Sequence, residues 1–479
     1  MSRGDRTPRL LVVGGGITGL AAAVELAGRL DDLHGEGAAG GVEVWEAATR
    51  LGGKIATSPF AGIDHVDEGA DAFLTRVPHA VEFARRVGLD DASMTSPTGA
   101  GAAVWHGRLH DIPGGILLGV PASVAPFVTT SLLSWRGKLR AAVEPFLPRT
   151  HPDDSIGALI RARFGDEVHD RLVDSLVGSI YATDTDRSSL AAVPQLAALA
   201  SGHRSLLLGG RAARKRAPVT DAPIFSAPRT GIGGLVDAAA GWLGRRGVKV
   251  RTSKPVGEIE PDAGGWRADG ERFDAIVLAA PARATAPMVA AVAPEAAGVL
   301  AATEYADVIM VRLAVPGDQW PDRLSGRSGY LVPKSQQRLV TAASFASQKW
   351  AHWQGAHGEQ VIRASLGRDG LPVMHLDDDA VLDATLTEMS GHLGIDLQPS
   401  EISITRWHDA FAQYRPHHHE RVATIEERMP ATLAIAGASY RGIGLPACIA
   451  DGQRAARSVL EQVVGDVKES TGPADGFLT

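Results

Sequence analysis

The sequence predicts an α/β fold divided into several domains, and three observations support this prediction. The apolar run Leu10 to Val13 ends in glycines and leads into an Ala/Leu-rich helical pattern, Leu20 to Leu30. Strand and helix patterns return at residues 228–280 and again at residues 433–463. A chain of 479 residues is too long for one compact core, so we expect two or three domains.

Composition excludes several classes of protein. A formal net charge of −7, without a basic stripe interleaved with aromatic residues, argues against a nucleic-acid surface. The single cysteine, Cys448, excludes an internal disulfide framework and fits a reducing compartment. Arg3, Arg6 and Arg9 precede an apolar run as in a signal peptide, but no convincing cleavage site follows, so we predict a cytoplasmic protein.

One uncharged stretch, Ile112 to Trp135, is long enough to span a bilayer. Pro113, Pro121 and Pro126, together with several glycines, interrupt any helix there. We therefore expect an irregular apolar wall of a pocket or entrance, with no stable membrane insertion.

The glycines after the first strand follow the G-x-G-x-x-G spacing of a dinucleotide-binding strand–turn–helix unit. Gly14 allows the tight turn, Gly16 lets the backbone approach a pyrophosphate, and Gly19 lets the helix pack closely on the strand. The N–H groups of the helix N-terminus, at Ile17 and Thr18, then face the phosphates.

An acidic residue follows the next strand, Val42 to Trp45. Glu46 is placed to hydrogen-bond a ribose hydroxyl, with Ala47 beside it, and it comes later than usual because the loop Asp31 to Gly41 intervenes. Strand, turn, helix, strand and acid in this order predict a dinucleotide site. The alternative is the glycine-rich start of an ordinary α/β domain.

The segment after this acid narrows the cofactor to FAD. A nicotinamide enzyme would normally continue into another helix, whereas this chain continues with Arg50, Gly52, Gly53 and Lys54. Arg50 can reach a diphosphate, and the paired glycines let the backbone lie where a Cβ would clash with the cofactor. The stretch resembles the second FAD motif of the amine oxidase-like flavoproteins.

Later parts of the chain supply further candidate cofactor residues. Gly69, Ala70 and Asp71 resemble the segment that passes the flavin ring in those proteins. A buried-strand pattern at residues 273–281 predicts that Val256 and Ala280 lie beside the adenosine. The last strand and glycine turn lead into a terminal helix and add four more candidates: Gly437, Ile443, Gly444 and Leu445.

These patterns predict a Rossmann-like FAD-binding domain that is discontinuous, made of residues 1–95, 226–300 and 425–470. Residues 96–225 carry more proline and several helical stretches, which predicts an inserted, mostly helical substrate domain. Residues 301–424 predict an antiparallel-sheet substrate domain, and residues 471–479 a tail. Within the insertion, the basic run Arg211 to Arg216 predicts a solvated loop.

Four stretches make the chain resemble the oxygen-dependent protoporphyrinogen/coproporphyrinogen III oxidase family, in its soluble bacterial branch. They are residues 14–20 with 50–54, residues 178–182 with 189, 190 and 194, residues 407–414, and residues 440–446 with 448 and 449. The resemblance runs from Leu10 to about Leu460. It departs at Thr183, where the family often has glycine and where we expect a different local turn, and at Ala447, where acidic residues are common.

The resemblance implies oxidation of a porphyrinogen to a porphyrin in three two-electron steps. Each step reduces FAD, and dioxygen reoxidises it with release of hydrogen peroxide, so no side chain is assigned a catalytic step. Propionates call for nearby cations, and Lys54 and Arg76 are the candidates, each with a surface cation as the alternative. Tyr181 is the candidate pocket wall, with core packing as the alternative.

Two features invite other chemistry that we do not predict. His417, His418 and His419 are adjacent, so they point in different directions, and no spaced carboxylate partner is evident, so no metal is predicted. Cys448 is not at the upstream position that carries covalent flavin in amine oxidases, so FAD is predicted to bind noncovalently.

The resemblance favours coproporphyrinogen III as substrate, with protoporphyrinogen IX as the alternative. A ferrochelatase that accepts the product is implied by the pathway only, and the sequence carries no prediction of oligomeric state. Two other interpretations remain open: an amine oxidase or carotenoid-type desaturase on the same scaffold, and a flavoprotein without turnover that serves as a binding module.

Overall fold

The structure is a computed structural model that describes residues 6–149, 155–216, 223–355 and 357–470. The predicted tail, residues 471–479, lies outside the described residues. The strands are, in chain order, β1 (Leu10–Val13), β2 (Val42–Trp45), β3 (Thr57–Phe60), β4 (Ile63–Asp67), β5 (Phe73–Leu74), β6 (Met94–Thr95), β7 (Gly101–Trp105), β8 (Leu109–Asp111), β9 (Ile116–Leu117), β10 (Val120–Pro121), β11 (Phe225–Pro228), β12 (Lys249–Arg251), β13 (Ile259–Asp262), β14 (Gly265–Ala268), β15 (Glu271–Phe273), β16 (Ala275–Leu278), β17 (Tyr305–Val315), β18 (Arg327–Leu331), β19 (Val340–Phe345), β20 (Gln360–Leu366), β21 (Glu401–Ala412) and β22 (Leu433–Ile435).

The helices are, in chain order, α1 (Ile17–His34), α2 (His79–Val87), α3 (Val124–Thr129), α4 (Trp135–Ala142), α5 (Ile156–Phe164), α6 (Asp166–Val168), α7 (Ser179–Tyr181), α8 (Pro194–Gly202), α9 (Leu206–Arg216), α10 (Gly233–Arg245), α11 (Ala282–Val289), α12 (Pro294–Ala301), α13 (Ala346–Lys349), α14 (Asp378–Leu393), α15 (His418–Arg428) and α16 (Leu445–Ser470). A π-helix, His169–Gly178, lies between α6 and α7.

A five-stranded parallel sheet forms the first layer, in the order β12-β2-β1-β16-β22. The central strand β1 is apolar at every position and buried throughout, as expected of a parallel strand covered on both faces. Leu10 and Val12 pack on one side with α1, α10 and α16, whereas Leu11 and Val13 pack on the other side with α11 and α12. Strands from the beginning, middle and end of the chain thus meet in one Rossmann-like sheet.

A seven-stranded sheet forms the second layer, in the order β21-β17-β20-β19-β18-β7-β8. Its long strands β17, β20 and β21 pair antiparallel, and the single parallel pair joins β18 to β7. The predicted α/β fold with an antiparallel sheet is therefore confirmed. The strands β7 and β8 come from residues 101–111, inside the predicted insertion, so the insertion also completes this sheet.

Helices are the main elements among the described residues of the insertion, and α5, the π-helix, α8 and α9 share one apolar core. The apolar stretch at residues 112–135 holds the short strands β9 and β10 and the short helix α3. Within the described part of the chain, no helix combines the length and the apolar character needed to cross a bilayer.

The predicted loop at Arg211 to Arg216 is wrong, because these residues form the second half of α9. The basic side chains lie on the exposed face of the helix, whereas Leu206, Gly209 and Gly210 form its buried face. The Glu144 carboxylate accepts a hydrogen bond from the Leu206 N–H at 2.9 Å, which satisfies a free donor at the helix start. The buried face and the contact with Glu144 both lie outside residues 211–216, so the charges of that run alone could not predict the helix.

Candidate active site

The turn after β1 has the geometry that the glycine spacing predicts. Gly14 has φ +105° and donates its N–H to the Trp45 carbonyl at 2.8 Å. A Cβ on Gly19 would lie 1.8 Å from the Gly14 carbonyl oxygen, so only glycine lets α1 pack this closely. A Cβ on Gly16 would meet no atom within 4 Å, so the space in front of this residue is open.

Helix α1 begins beside that open space without a side-chain cap. Gly16 is its N-cap residue, and no side chain accepts a hydrogen bond there. The N–H groups of Ile17 and Thr18 belong to the first turn, where the helix supplies no acceptor. An uncapped helix start that faces open space fits an anionic group such as a diphosphate.

Glu46 follows β2 and lies beside the same turn. Its carboxylate accepts hydrogen bonds from the Gly15 N–H at 2.6 Å and from the Ala48 N–H at 2.8 Å. Ala47, between Glu46 and Ala48, is exposed. Two backbone donors thus hold the carboxylate next to the glycine turn, where a contact with a ribose hydroxyl was predicted.

The second glycine pair packs directly on the first turn. Gly52 donates its N–H to the Gly15 carbonyl at 2.9 Å. A Cβ on Gly53 would lie 3.4 Å from the Cα of Gly16. The turn at Gly14 to Gly16 and the pair Gly52 and Gly53 are separated by more than 30 residues in the sequence, but their backbones form one continuous surface.

The Arg50 guanidinium organises this second loop. It donates hydrogen bonds to the carbonyls of Leu51, Gly53 and Ile55, at 2.8 Å for Gly53 and 2.7 Å for Ile55. These bonds hold the loop in the shape that presents Gly52 and Gly53. The sequence indicated a reach toward a diphosphate, which stays a prediction, and did not indicate this structural role.

The segment Gly69 to Asp71 is bound to the second sheet through charge. The Asp71 carboxylate lies 2.9 Å from the Lys349 ammonium and 3.0 Å from the Arg363 guanidinium, which also donates to the Gly69 carbonyl. Burial acts to raise the pKa of Asp71, but the two cations outweigh it and hold this pKa at about 2. Because the carboxylate is occupied, a cofactor contact at Gly69, Ala70 or Asp71 would involve backbone atoms.

The end of the chain returns to the glycine turn. Gly437 has φ +135° and donates its N–H to the Asp451 carboxylate at 2.9 Å. A Cβ on Gly452 would lie 2.2 Å from the Thr18 carbonyl oxygen, so α16 crosses α1 in close contact. This crossing places the start of α16 near the start of α1, and with it three predicted cofactor residues: Ile443, Gly444 and Leu445.

The two residues predicted beside the adenosine, Ala280 and Val256, lie at the carboxyl end of the parallel sheet. Ala280 follows β16, and its backbone N would be 3.1 Å from a Cβ on Gly14. Val256 is buried in the core that contains Val13 and Trp45. Both residues therefore border the region where β1 and β2 end, and their contact with a nucleotide stays a prediction.

Lys54 directly follows Gly53, and its side chain extends toward the seven-stranded sheet. Its Nζ lies 5.3 Å from the centre of the Tyr305 ring. Desolvation by the surrounding cleft lowers the pKa of Lys54 to about 8, although the Asp409 and Asp307 carboxylates act to raise it. The side chain is exposed to solvent in this cleft. With a pKa of about 8 it is mostly protonated at pH 7, so it places a positive charge between the two sheets.

A pocket lies where the insertion and the seven-stranded sheet meet residues 436–444, the turn between β22 and α16, which we call the C-terminal turn. The Tyr414 hydroxyl crosses this junction, donating to the Ala438 carbonyl at 2.8 Å and accepting from the Gly442 N–H at 2.7 Å. Burial raises the pKa of Tyr414, which keeps the phenol protonated. The pocket is lined by Tyr181, Thr183, Ser188, Ala192, Ala412, Tyr414 and Ile443.

The structure brings some of the predicted substrate residues to this region and leaves one outside. Tyr181 lines the pocket together with Ile443, a predicted cofactor residue. Arg76 is exposed on the loop between β5 and α2 and does not line the pocket. Sequence patterns missed Tyr305 and Asp409, because only the pairing of β17 with β21 brings them near Lys54.

Two of the three adjacent histidines, His417 and His418, have structural contacts. His418 stacks on Tyr414 with ring centres 3.7 Å apart, and its Nε2 donates to the Tyr440 carbonyl at 2.8 Å. His417 lies 3.1 Å from the Glu420 carboxylate. Among the described residues, no group of three His, Cys, Asp or Glu side chains could hold a metal ion.

Cys448 is buried under the C-terminal turn. Its Sγ lies 3.6 Å from the Gly442 carbonyl and 3.7 Å from the Ile443 carbonyl. Burial raises the pKa of this thiol to about 12, so the reactive thiolate is scarce at neutral pH.

Comparison with known proteins identifies the family. A family model described as flavin containing amine oxidoreductase matches residues 17–460. The chain belongs to this family. Membership indicates a flavin cofactor, which agrees with the two glycine segments and the uncapped start of α1.

Proteins related to this chain align with it over almost its whole length. The coproporphyrinogen III oxidase of Bacillus subtilis is 30% identical over 477 residues, which cover 95% of this chain and 98% of that protein. The coproporphyrinogen III oxidase of Propionibacterium freudenreichii is 33% identical and covers 94% of this chain and 90% of its own length. The predicted resemblance to this group is confirmed.

Solved structures give the same result for the fold. A crystal structure from Exiguobacterium, provisionally named a protoporphyrinogen oxidase, superposes with a TM-score of 0.82 at 27% identity and covers 95% of this chain and 99% of that one. Cyclohexylamine oxidase from Brevibacterium oxydans superposes with a TM-score of 0.64 at 17% identity, over 95% of this chain and 99% of that one. The latter likeness concerns the fold alone.

Proposed function

We propose that this chain is an FAD-dependent oxidase that converts coproporphyrinogen III to coproporphyrin III in haem biosynthesis. The observation that carries the proposal is the match with coproporphyrinogen III oxidases over 98% and 90% of their lengths. The reaction removes six electrons and six hydrogens, so three molecules of dioxygen become three of hydrogen peroxide. A ferrochelatase would then use the porphyrin product.

Noncovalent FAD is the proposed cofactor, and the residues present fit it. Gly16 leaves open space in front of the uncapped start of α1, which suits a diphosphate, and Glu46 offers a fixed acceptor for a ribose. The protonated Cys448 thiol supports noncovalent binding. When bound, FAD would supply the two-electron acceptor that no side chain of the chain can supply.

The residues around the pocket would bind and orient the substrate. Tyr181, Ala412 and Ile443 line a cavity of about 10 Å³, which is too small for a tetrapyrrole, so their proposed role is to form an apolar wall beside the cleft in which the macrocycle would lie. The Lys54 ammonium stands in the adjoining cleft, where it can pair with a propionate. Positioning and water exclusion are therefore the work proposed for these side chains.

Anaerobic reduction tests the proposal directly. Purified protein should carry FAD, identified after denaturation, and its flavin absorbance should bleach with coproporphyrinogen III and recover in air. Protoporphyrinogen IX and a primary amine serve as matched substrates in the same assay. A flavin spectrum that coproporphyrinogen III leaves unchanged would sink the proposal, and faster reduction by protoporphyrinogen IX or by the amine would reassign the substrate.

A further inference from the structure

Large apolar side chains are exposed together on one side of the insertion. Five of the twelve that are exposed among the described residues lie within residues 128–146, and we call these five the α4 face. Their exposed fractions run from 45% at Val143 to 81% at Phe146, and the full set is Val128, Trp135, Leu139, Val143 and Phe146. Single apolar side chains are normal on a protein surface, whereas a group of them indicates contact with a partner or an apolar phase.

Helix α4 turns its large side chains away from the protein. Trp135, Leu139 and Val143 are spaced four residues apart, so they share one side of the helix, with Val143 as its C-cap residue. Gly137 and Ala141 form the buried side. A surface helix normally packs its large apolar residues on the core, so the arrangement in α4 is reversed and leaves an apolar surface in contact with solvent.

The neighbours of α4 are held by hydrogen bonds, so the α4 face is a fixed feature of the fold. Phe146 belongs to a short 3₁₀-helix that begins at Glu144, whose carboxylate accepts from the Arg163 guanidinium at 2.8 Å. Val128 lies in α3, and its carbonyl accepts from the Lys138 ammonium at 2.7 Å. Bonded segments on both sides of α4 therefore present the apolar side chains.

The charges around the α4 face are positive, although the whole chain has a formal net charge of −7. Residues 124–149 contain one acid, Glu144, which is fully buried in an ion pair. They contain four cations, which are Arg136, Lys138, Arg140 and Arg149. These cations contact carbonyls or an aromatic ring, and none pairs with a carboxylate among the described residues. The neighbouring Glu167 is already paired with Arg171 at 2.6 Å.

We propose that the α4 face docks reversibly on the surface of a lipid bilayer that carries anionic headgroups. Apolar side chains of an interfacial helix enter the boundary between headgroups and acyl chains, while flanking cations attract the headgroup phosphates. Trp135, Arg136 and Lys138 suit that boundary, because each combines an apolar body with a polar end. Helix α4 has eight residues, so it would lie along the surface and not across the bilayer.

Two other occupants fit these observations less well. A second copy of the chain would bring two sets of unpaired cations together, and like charges oppose association. A partner protein would form about one hydrogen bond for each 100–200 Å² of interface, but the five side chains of the α4 face carry one polar atom, the Nε1 of Trp135. A bilayer needs no such fixed partners.

Flotation with lipid vesicles tests the docking surface on the purified full chain with its flavin. The protein should float with mixed vesicles of phosphatidylglycerol and phosphatidylcholine. Its affinity for pure phosphatidylcholine vesicles should be at least about 10-fold lower, because the cations then meet no net negative charge. High salt should weaken binding to the mixed vesicles by screening the same attraction.

The double variant Leu139→Ser with Phe146→Ser tests the apolar contribution. Its affinity for mixed vesicles should fall by about 10-fold or more, because two apolar side chains no longer enter the boundary. Both residues are exposed, so the melting temperature without lipid should stay near that of the wild type. Leu33→Ser is the matched control, since Leu33 is similarly exposed but lies at the end of α1, and it should keep the wild-type affinity.

Arg136→Glu tests the electrostatic contribution. The Arg136 guanidinium lies 5.4 Å from the centre of the Trp135 ring, so the variant reverses a charge at the α4 face. The affinity for mixed vesicles should fall by about 10-fold, while the weak affinity for phosphatidylcholine changes little. Arg245→Glu, on an exposed residue of α10, makes the same change of charge elsewhere and should have a much smaller effect.

Three results overturn the proposal. The first is a wild type that does not float with anionic vesicles, and the second is equal binding by the Leu139→Ser, Phe146→Ser variant. The third is a dimer in analytical ultracentrifugation that this double variant abolishes, without vesicle binding, which would assign the α4 face to a second copy. Porphyrinogen oxidation is measured without lipid, so its failure would overturn the proposed function and leave the docking surface standing.

Discussion

Gly16 and Gly19 stand three residues apart at the start of α1 and meet different requirements. At Gly19 the protein itself fills the space, since a Cβ would lie 1.8 Å from the Gly14 carbonyl oxygen. At Gly16 a Cβ would meet nothing within 4 Å. Gly19 therefore serves the packing of the fold, whereas the absence of a side chain at Gly16 has no use in the protein alone and fits a ligand.

A pair of substitutions separates these two roles. Gly16→Val should fold with a wild-type circular dichroism spectrum and lose its flavin, because the new side chain occupies the space proposed for the diphosphate. Gly19→Ala should lose stability by more than about 1 kcal/mol, because α1 must move away from β1. A Gly16→Val protein that is purified with a full complement of flavin would refute the proposed diphosphate position.

The π-helix His169–Gly178 is the element that connects the insertion to the seven-stranded sheet. Its Asp174 carboxylate accepts from both terminal nitrogens of Arg368, at 3.0 and 2.9 Å, and from the Thr185 hydroxyl at 2.7 Å. Both side chains of the ion pair are at most 2% exposed. Arg368 also binds the Thr183 carbonyl, so the same pair supports the pocket wall.

Breaking this buried pair should be costly. Asp174→Asn leaves the Arg368 charge buried with a weaker partner, so the free energy of unfolding should fall by about 3–5 kcal/mol in urea titration. Asp166→Asn is the control, because its carboxylate is 78% exposed and its loss should cost at most about 1 kcal/mol. Equal stability of the two variants would contradict a structural role for the pair.

The pH dependence of stability should follow from the same pair. Burial acts to raise the pKa of Asp174, but Arg368 outweighs it and lowers this pKa below its ordinary value. A lowered pKa in the folded state stabilises the protein above the unfolded pKa of about 4, and this stabilisation is lost as the pH falls through the folded pKa. The stability of Asp174→Asn should therefore change less than that of the wild type over this acidic range.

On the scale of the whole molecule, the cleft between the two sheets determines the chemistry of Lys54. Desolvation there lowers its pKa to about 8, while Asp307 and Asp409 act to keep it charged. One of these carboxylates belongs to β17 and the other to β21, while the lysine follows the glycine turn of the first layer. A titration near neutral pH thus depends on how the layers are assembled.

The affinity for an anionic substrate should depend on this titration. Lys54 is charged below pH 8 and neutral above it, so KM for coproporphyrinogen III should rise as the pH increases through about 8. Lys54→Met should raise KM by about 10-fold at pH 7 and flatten the profile, while Lys54→Arg should keep a low KM at pH 9. A wild-type KM that is constant from pH 6.5 to 9 would refute a propionate contact at Lys54.

The parallel layer and its glycine turn could be predicted from the sequence because they depend on short-range patterns. The run Leu10–Val13 is buried on both faces and therefore apolar throughout, and Gly14 and Gly19 must be glycine for local steric reasons. The return of strands near residues 275 and 433 follows from the same kind of pattern. These signals were sufficient to predict the α/β fold, whereas the resemblance that led to the substrate also needed the motifs at residues 178–182, 407–414 and 440–446.

The tertiary structure decided which side chains meet. Asp71 pairs with Lys349 and Arg363, which lie almost 300 residues along the chain, and no local pattern encodes that contact. The hydroxyls of Thr183 and Ser188 have no hydrogen-bond partner among the described residues, and this too becomes evident only in the folded chain. Sequence spacing determines local geometry, whereas burial, ion pairing and hydrogen-bond satisfaction depend on the register and packing of distant segments.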